Sequence, residues 1–449
     1  MAGGRGWWTD DSVARHPGGV HGGKKVTGAP GGRVSRVTTA MVAVLASLAV
    51  PVLTGVVGAP AEAAVSVATV AGTGHPGTSG AGGPATAAEL DGPTGIAVDA
   101  EGDVFVADTG DCGVDEIPAR EGTRYGVAMQ AHHLYTVAGG RCGNRSGAVG
   151  YPTGVAVGPS GDVFVADATG ERVLVLRPGG RGPLGPTARA RLVTTVAGTG
   201  RPGTAGVGGP GKEAELDGPT GVAVDAGGDL FVADTVACQV DEVPATTGTR
   251  QGTSMQAGHL YVVAGTGVCG TAGLGGPADQ AELYTPTAVA VDAAGDLFVA
   301  DRGAGQVVEE PVVGGTYYGT SLGAGDLGVI AGAGILAPYL ADGLPARGTT
   351  AEINFPYGLA VAPDGDLYVT DTSSRAIRQL PAVAGSPFGR PVNPGDLYTL
   401  VGAVPTGNND TSTRWIVTEV TTPYGVAVAP DGDVLFSDRG ADVVREVSP

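Results

Sequence analysis

The chain has 449 residues, and Gly 81 with Pro 32 make up about a quarter of it; each interior helical glycine costs roughly 1 kcal/mol, so long helices are excluded. Hydrophobic residues account for 42%, enough apolar surface to offset chain entropy, which excludes a disordered chain and leaves a sheet-rich protein with many tight turns. The formal net charge is −19, and a chain this acidic repels phosphate backbones and anionic lipid, so nucleic acid is excluded as a partner.

The first 64 residues differ from the rest. They hold Arg5, Arg15, Lys24, Lys25, Arg33 and Arg36 against three acidic residues, which leaves the body, residues 65–449, at −22. The basic segment precedes an apolar run, TTAMVAVLASLAVPVLTGVVGA, and small residues at Ala61 and Ala63. That is the three-part form of a secretory signal peptide. The alternative is a retained anchor, because the run is near the roughly 20 residues that span a bilayer. Pro51 in its middle and the Ala-x-Ala end favour cleavage. Either way the body is expected to be secreted or in the cell envelope, touching a membrane only if the leader stays uncleaved.

The body opens on VATVAG at 67–72 and then repeats itself. Six segments align without gaps, from GPTGIAVDAEGDVFVAD at Gly92 to TPYGVAVAPDGDVLFSD at Thr422. Their prolines, Pro93, Pro152, Pro219, Pro286, Pro356 and Pro423, recur at intervals of 59, 67, 67, 70 and 67 residues. Each closes on an aspartate 15 residues later: Asp108, Asp167, Asp234, Asp301, Asp371 and Asp438. A β-branched aliphatic, from Val114 to Val444, always follows six residues on. Each unit reads as two short strands joined by a Gly-containing turn, a third strand such as VDEIP, and a fourth such as LYTVAG at 134–139. Four antiparallel strands make a propeller blade, so six units predict an all-β, six-bladed β-propeller. VATVAG is a fourth-strand sequence with no blade before it, and the chain ends on a third strand at Val444–Val447 with no fourth after it. The N-terminal strand is therefore expected to complete the sixth blade and close the ring.

Four cysteines fall within the repeat. Cys112 and Cys238 lie 126 residues apart, the offset that also relates Pro93 to Pro219, and Cys142 and Cys269 occupy matching places further on. Bridges Cys112–Cys142 and Cys238–Cys269 are expected, consistent with an exported body. Zinc is the weaker alternative, since no C-x-x-C occurs and no His stands at ligand spacing.

The pattern P-x-G-[VI]-A-V-D-x-x-G-D-[LV]-[FY]-V-A-D resembles the NHL repeat, and six copies cover nearly all of the body. It departs from that family where Asn often follows the turn glycine: here stand Asp103, Asp162, Asp229, Asp296, Asp366 and Asp433. The resemblance implies a propeller of the kind found in bacterial exported proteins, receptor-kinase sensor domains, animal RNA-binding domains and an amidating lyase. Related propellers include lactonases and a streptogramin lyase, so the repeat identifies scaffold rather than chemistry.

The residue after each proline is expected to ring one mouth of the channel: Thr94, Thr153, Thr220, Thr287, Tyr357 and Tyr424. Arg302 and Arg439 follow the closing aspartates of blades 4 and 6. Two tyrosines and two arginines on one mouth suit a small sugar or an anionic ligand, through stacking and charged hydrogen bonds; the plainer alternative is that they fill a narrowing channel. The six closing aspartates offer a Ca²⁺ site, but a residue present in every blade points to a structural role shared by all, by accepting backbone hydrogen bonds from the next loop. Glu89, Glu215, Glu282, Glu352 and Glu419 receive the same reading. The body holds His75, His132, His133 and His259, none on an expected inner strand, which weighs against the lyase chemistries that the resemblance brings to mind. Three G-x-G-x-x-G matches, the first at 72–77, recur as loops leaving fourth strands and lack the following helix of a dinucleotide site.

The expected function is a monomeric binding or scaffolding module for a protein or small ligand in the cell envelope or outside the cell, with a protein or glycan of the envelope as partner and without a required cofactor. The alternative is a metal-dependent, lactonase-like hydrolase or lyase at the channel mouth.

Overall fold

The computed structural model describes residues 65–140, 142, 149–178, 193–334, 348–389, 391–402 and 419–449; the leader at 1–64 and the insert of blade 2 lie outside them. The described residues form six four-stranded antiparallel blades, and no α-helix occurs among them. Blade 1 is Pro93–Val98, Val104–Asp108, Gly113–Ile117 and Tyr135–Gly139, hydrogen-bonded in that order from the axis outward. Blades 2 to 5 repeat this order, beginning at Pro152, Pro219, Pro286 and Pro356. In blade 4 the linking segment Gly276–Pro277 adds a short fifth strand to the outer edge.

Blade 6 contributes Pro423–Val428, Val434–Asp438 and Val443–Ser448, and its outer strand is Ser66–Ala71 from the other end of the body. The pairing runs antiparallel from Ser66↔Ser448 to Ala71↔Val444. The ring thus closes through the N-terminal strand, as the surplus and missing strands at the two ends predict.

The second and third strands are buried along their whole length in most blades. A blade packs a neighbour on each face, so these strands read as continuous apolar runs such as VFVAD instead of alternating ones. The apolar cores are correspondingly divided, one per junction. Phe105, Val155 and Val165 share the core between blades 1 and 2, and Ile96, Leu435 and Val444 that between blades 6 and 1.

The turn between inner and second strands explains its invariant glycine. In blade 1, Gly102 N donates to Asp99 O at 3.0 Å and Gly102 takes φ +87, a left-handed conformation that glycine adopts without a Cβ clash. The aspartate after it accepts a backbone N–H 16 residues on: Ala119 N to Asp103 at 2.8 Å, Ala245 N to Asp229 at 2.7 Å and Val312 N to Asp296 at 2.7 Å. It pins the end of the third strand to the turn. In blades 1 and 2 the carboxylate also pairs with Arg124 and Arg177, which the amide of an asparagine would not do.

Both expected disulfides are present, with Cα separations of 5.1 Å for Cys112–Cys142 and 5.2 Å for Cys238–Cys269. Each ties the start of a third strand to the loop that leaves the outer strand. Closing a loop of about 30 residues stabilises the fold by roughly 3 kcal/mol in the chain-entropy model. The double substitution Cys238→Ala/Cys269→Ala is expected to lower Tm by about 4 °C; calorimetry that finds no change would mean the bridge constrains nothing the blade does not already hold.

The inserts between third and outer strands fold on themselves. Gly122–Arg124 with Val127–Met129, Gly248–Arg250 with Thr253–Met255, and Gly315–Tyr317 with Thr320–Leu322 are small hairpins. Their turns carry a left-handed residue followed by a left-handed glycine, such as Tyr125 at φ +49 and Gly126 at φ +74. That is the primed turn whose twist suits a two-residue hairpin. Tyr125 is 1% exposed and packs with Phe105, Val155 and Val163. Tyr318 meets Phe298 edge-on with ring centroids 6.2 Å apart, and its hydroxyl donates to Gly365 O of the next blade at 2.5 Å. Phe388 occupies the same place between blades 5 and 6. These tips are wedges between neighbouring blades, which is why aromatic side chains outweigh the cost of a left-handed backbone.

Candidate functional site

The inner strands converge on an axial channel of about 60 Å³, lined by Thr94, Thr153, Thr220, Thr287, Tyr357 and Tyr424 together with the glycines that follow most of them. That is room for a handful of waters and not for a sugar ring. The glycines make the approach possible: a Cβ on Gly95 would lie 2.7 Å from the Thr153 carbonyl oxygen, and one on Gly358 2.3 Å from that of Tyr424.

The structure brings all six of these residues to one mouth, but engages them differently. Thr94 Oγ1 donates to Thr153 O at 3.0 Å, Thr153 Oγ1 to Thr220 O at 3.0 Å, Thr220 Oγ1 to Thr287 O at 2.9 Å, and Thr287 Oγ1 to Pro356 O at 3.1 Å. Each hydroxyl stitches its blade to the next. In blades 5 and 6, where tyrosine stands instead, a second-strand hydroxyl takes over. Thr370 Oγ1 donates to Tyr424 O at 2.8 Å and Ser437 Oγ to Thr94 O at 2.5 Å. All six junctions therefore carry a hydroxyl-to-carbonyl bond. The other four blades have alanine at the second-strand position: Ala107, Ala166, Ala233 and Ala300.

Tyr357 and Tyr424, relieved of that duty, project into the mouth. Their ring centroids are 4.2 Å apart at an interplanar angle of 47°. Arg439 lies 4.9 Å over the Tyr424 ring and its Nη1 donates to the Tyr424 hydroxyl at 3.0 Å. Arg302, on blade 4, lies 5.0 Å over the ring of Phe355 on blade 5. The electrostatic neighbours of Tyr357 are Tyr424, Arg302, Arg439 and Tyr151, and burial first, then Tyr424, pushes its hydroxyl well above the usual phenol range. Tyr357 is thus a neutral donor at any physiological pH. The result is an arc across blades 4, 5 and 6, with Tyr151 of blade 2 in its field.

Phe355 and Tyr151 are members the repeat comparison did not single out. Both stand immediately before the blade proline, where the other blades carry Gly92, Gly218, Thr285 and Thr422. Phe355 adopts φ +55, the left-handed conformation that Gly92, Gly218 and Thr285 also take at this position, at a cost to a bulky residue of order 1–3 kcal/mol. Its reward is the stack with Arg302.

The closing aspartates have another role. Asp91 N donates to Asp108 Oδ1 at 2.8 Å, Asp217 N to Asp234 at 2.8 Å, Tyr284 N to Asp301 at 2.7 Å and Asn354 N to Asp371 at 2.9 Å. They fasten the loop entering their own blade, not the next loop as expected. Among the described residues no group of three His, Cys, Asp or Glu side chains is placed to hold a metal ion. Glu89 and Glu282 accept backbone N–H groups of the blade-linking loops, from Ser79 at 3.1 Å and Ala272 at 3.2 Å. His133 and His259 bond Gly82 O and Gly208 O through Nδ1 in the outer part of their blades, far along the chain from any inner strand.

Fold and mouth together define a six-bladed β-propeller with a one-sided aromatic and cationic arc. Among the solved structures similar to it are three from Bacteroides. One is a protein of unknown function from Bacteroides thetaiotaomicron, with 15% identity, TM-score 0.54, and 86% of this chain and 76% of that one covered. The others are described as auxiliary nutrient binding proteins: one from the same organism with 12% identity, TM-score 0.53 and coverage of 86% and 76%, and one from Bacteroides ovatus with 13% identity, TM-score 0.52 and coverage of 86% and 77%. At these identities the likeness is one of fold. No protein-family model matches the chain, and no curated protein is similar to it in sequence.

Proposed function

We propose that this chain is an exported NHL-type propeller that binds a small hydroxylated anion, of the sugar-acid class, across the channel mouth. The observation that carries this reading is the arc itself. At three repeat positions, filled in the other blades by Thr, Gly or Ala apart from Tyr151, stand Arg302, Phe355, Tyr357, Tyr424 and Arg439 on three adjacent blades. Scaffold demands are equal in every blade and do not explain a departure concentrated on blades 4 to 6.

Each part of the arc has a chemical task. The tilted Tyr357–Tyr424 pair offers an apolar face to a sugar ring, and the two guanidinium groups offer paired donors to a carboxylate. The aromatic faces beneath the arginines hold their forks in place, so little side-chain entropy is lost on binding. The channel is too narrow to admit the ring, so the ligand lies on the rim. A body charge of −22 repels anions at long range, polyanions most, so the attraction for a singly charged ligand is local, from the two arginines. Two disulfides suit an oxidising compartment and the exported setting expected from the leader. Binding proteins with a similar fold are described in Bacteroides, which supports this use of the scaffold.

Titration calorimetry with D-glucuronate and D-glucose tests the reading. Glucuronate is expected to bind more tightly than glucose, and Arg439→Gln to weaken it about tenfold, the loss expected of a charged hydrogen bond. Tyr424→Ala is expected to weaken both sugars. Equal binding of the two sugars, or an unchanged affinity in Arg439→Gln, overturns it.

A further inference from the structure

A second cavity lies on the other face, at the outer rim between blades 3 and 4. Its origin is a substitution in the wedges. At three junctions the hairpin tip is Tyr125, Tyr318 or Phe388, each packed against the next blade. At the blade 3–4 junction the equivalent residue is Gln251, left-handed at φ +45 and exposed. The space next to it is a cleft of about 190 Å³, lined by residues of both blades, among them Arg250, Gln251, Met255, Glu310 and Asp326.

The walls have two characters. Met255 and Val263, both buried, with Pro277 and Ala278 form an apolar side. The polar side is acidic. Arg250 lies over the Phe231 ring at 5.0 Å and is held by two carboxylates, with Nε 3.3 Å from Glu242 and Nη2 3.1 Å from Glu310. Glu310 is 2% exposed. Asp279 and Asp326 complete the lining. The cleft lining thus holds one guanidinium against three carboxylates, Glu310, Asp279 and Asp326, and Arg250 is already shared with Glu242 behind it, so the cleft keeps a negative field. In blade 1 the equivalent Arg124 pairs within its own blade, with Asp103 and Glu116; in blade 3 the arginine reaches across the junction, and the volume beside it is left open.

We propose that this cleft is a second binding site, and that it takes a compact organic cation: a primary ammonium group on a short aliphatic stem. The ammonium sits among Glu310, Asp326 and Asp279, and the stem lies along Met255, Val263 and Pro277. The mouth and the cleft then select opposite charges on opposite faces of the same ring. This inference rests on the cleft alone and stands or falls independently of the sugar-acid reading.

The same ammonium chemistry comes from a free amine or from a lysine side chain. Calorimetry on the full oxidised chain with n-butylammonium, capped lysine, n-butanol and Ca²⁺ distinguishes them. Both ammonium probes are expected to bind and butanol is not; tighter binding of capped lysine assigns the site to a chain-borne lysine, and tighter binding of butylammonium to a free amine. Asp326→Asn, at a half-buried carboxylate, is expected to weaken butylammonium about threefold to fivefold. Gln251→Tyr, which narrows the cleft with the side chain used at other junctions, is expected to weaken it at least about tenfold while Tm is held or raised. Equal binding of butanol and butylammonium, no binding of either ammonium probe, binding of Ca²⁺ in their place, or full affinity in both variants overturns the proposal.

Discussion

Deleting Ser66–Ala71 is expected to cost on the order of 5 kcal/mol, since five paired positions join this strand to Val443–Ser448 and each backbone hydrogen bond contributes roughly 1 kcal/mol net. Tm falls by about 6 °C or more. The loss reaches beyond one strand. Ala71 is fully buried in the core shared by blades 6 and 1, with Ile96, Leu435 and Val444. Removing it strips that junction and bares a row of unpaired N–H and C=O groups along Val443–Ser448, a template for pairing with another chain. Size-exclusion chromatography is therefore expected to show higher-order species at concentrations where the intact chain shows none. A truncated chain that melts at the original temperature would mean the ring is held shut by its inner strands alone.

The fold is also expected to be more stable at pH 5.5 than at pH 8.5, by on the order of 5 kcal/mol or about 6 °C in Tm. The cause is a set of buried carboxyls whose charged form burial disfavours more than any neighbouring cation favours it. In blades 2, 5 and 6 an arginine meets the closing aspartate: Arg172 Nη2 at 3.1 Å, Arg378 Nη2 at 2.8 Å and Arg445 Nε at 3.5 Å. In blades 1 and 3 the third strand presents Asp115 and Asp241 instead. Burial, and then the facing Asp115, raises Asp108 far above the carboxylate range, and burial with Asp241 does the same to Asp234. Burial pushes Glu116 and Glu242 up to about 7 against the pull of Arg124 and Arg250, Asp301 up to about 7, and Glu309 up to about 8.

A carboxyl raised in the folded state binds its proton more tightly than in the unfolded chain. Its contribution is complete below the unfolded value near 4 and is lost as pH rises through 7 to 8, at roughly 1.4 kcal/mol per unit for each group. Melting at fixed ionic strength from pH 5.5 to 8.5 checks this. The double variant Asp115→Asn/Asp241→Asn should raise Tm at pH 8.5 and flatten the slope, separating these pairs from the general relief of negative charge. A Tm that is flat or higher at pH 8.5 contradicts the account.

Much of the architecture could be read from residues at fixed offsets. A proline and an aspartate 15 apart, six times over, define the blades, and VATVAG without a blade defines the closure. The periodic positions carry the scaffold because every blade meets the same neighbours. What escaped that comparison lies where blades touch across the chain. The Tyr125, Tyr318 and Phe388 tips were unreadable as wedges because the hairpin signal is Asn-Gly or Asp-Gly, and an aromatic before glycine does not announce a primed turn. The stitching role of Thr94, Thr153, Thr220 and Thr287 had a signal that only the structure made meaningful: Thr370 and Ser437 replace the second-strand alanine in the two blades that carry tyrosine. Tyr151 and Phe355 were within reach by aligning the residue before each proline.

The transferable hydroxyl has a consequence for re-engineering this ring. Because blades 5 and 6 move the junction hydroxyl from the inner strand to the second, the inner position becomes a socket that accepts an arbitrary side chain. The recipe is two substitutions per blade: a hydroxyl at the alanine and a chosen group at the threonine. Ala166→Thr with Thr153→Tyr, or Ala233→Ser with Thr220→His, would write a new residue onto the rim while the seam stays closed. Six sockets at regular angular spacing make the propeller a dial on which recognition can be set one blade at a time.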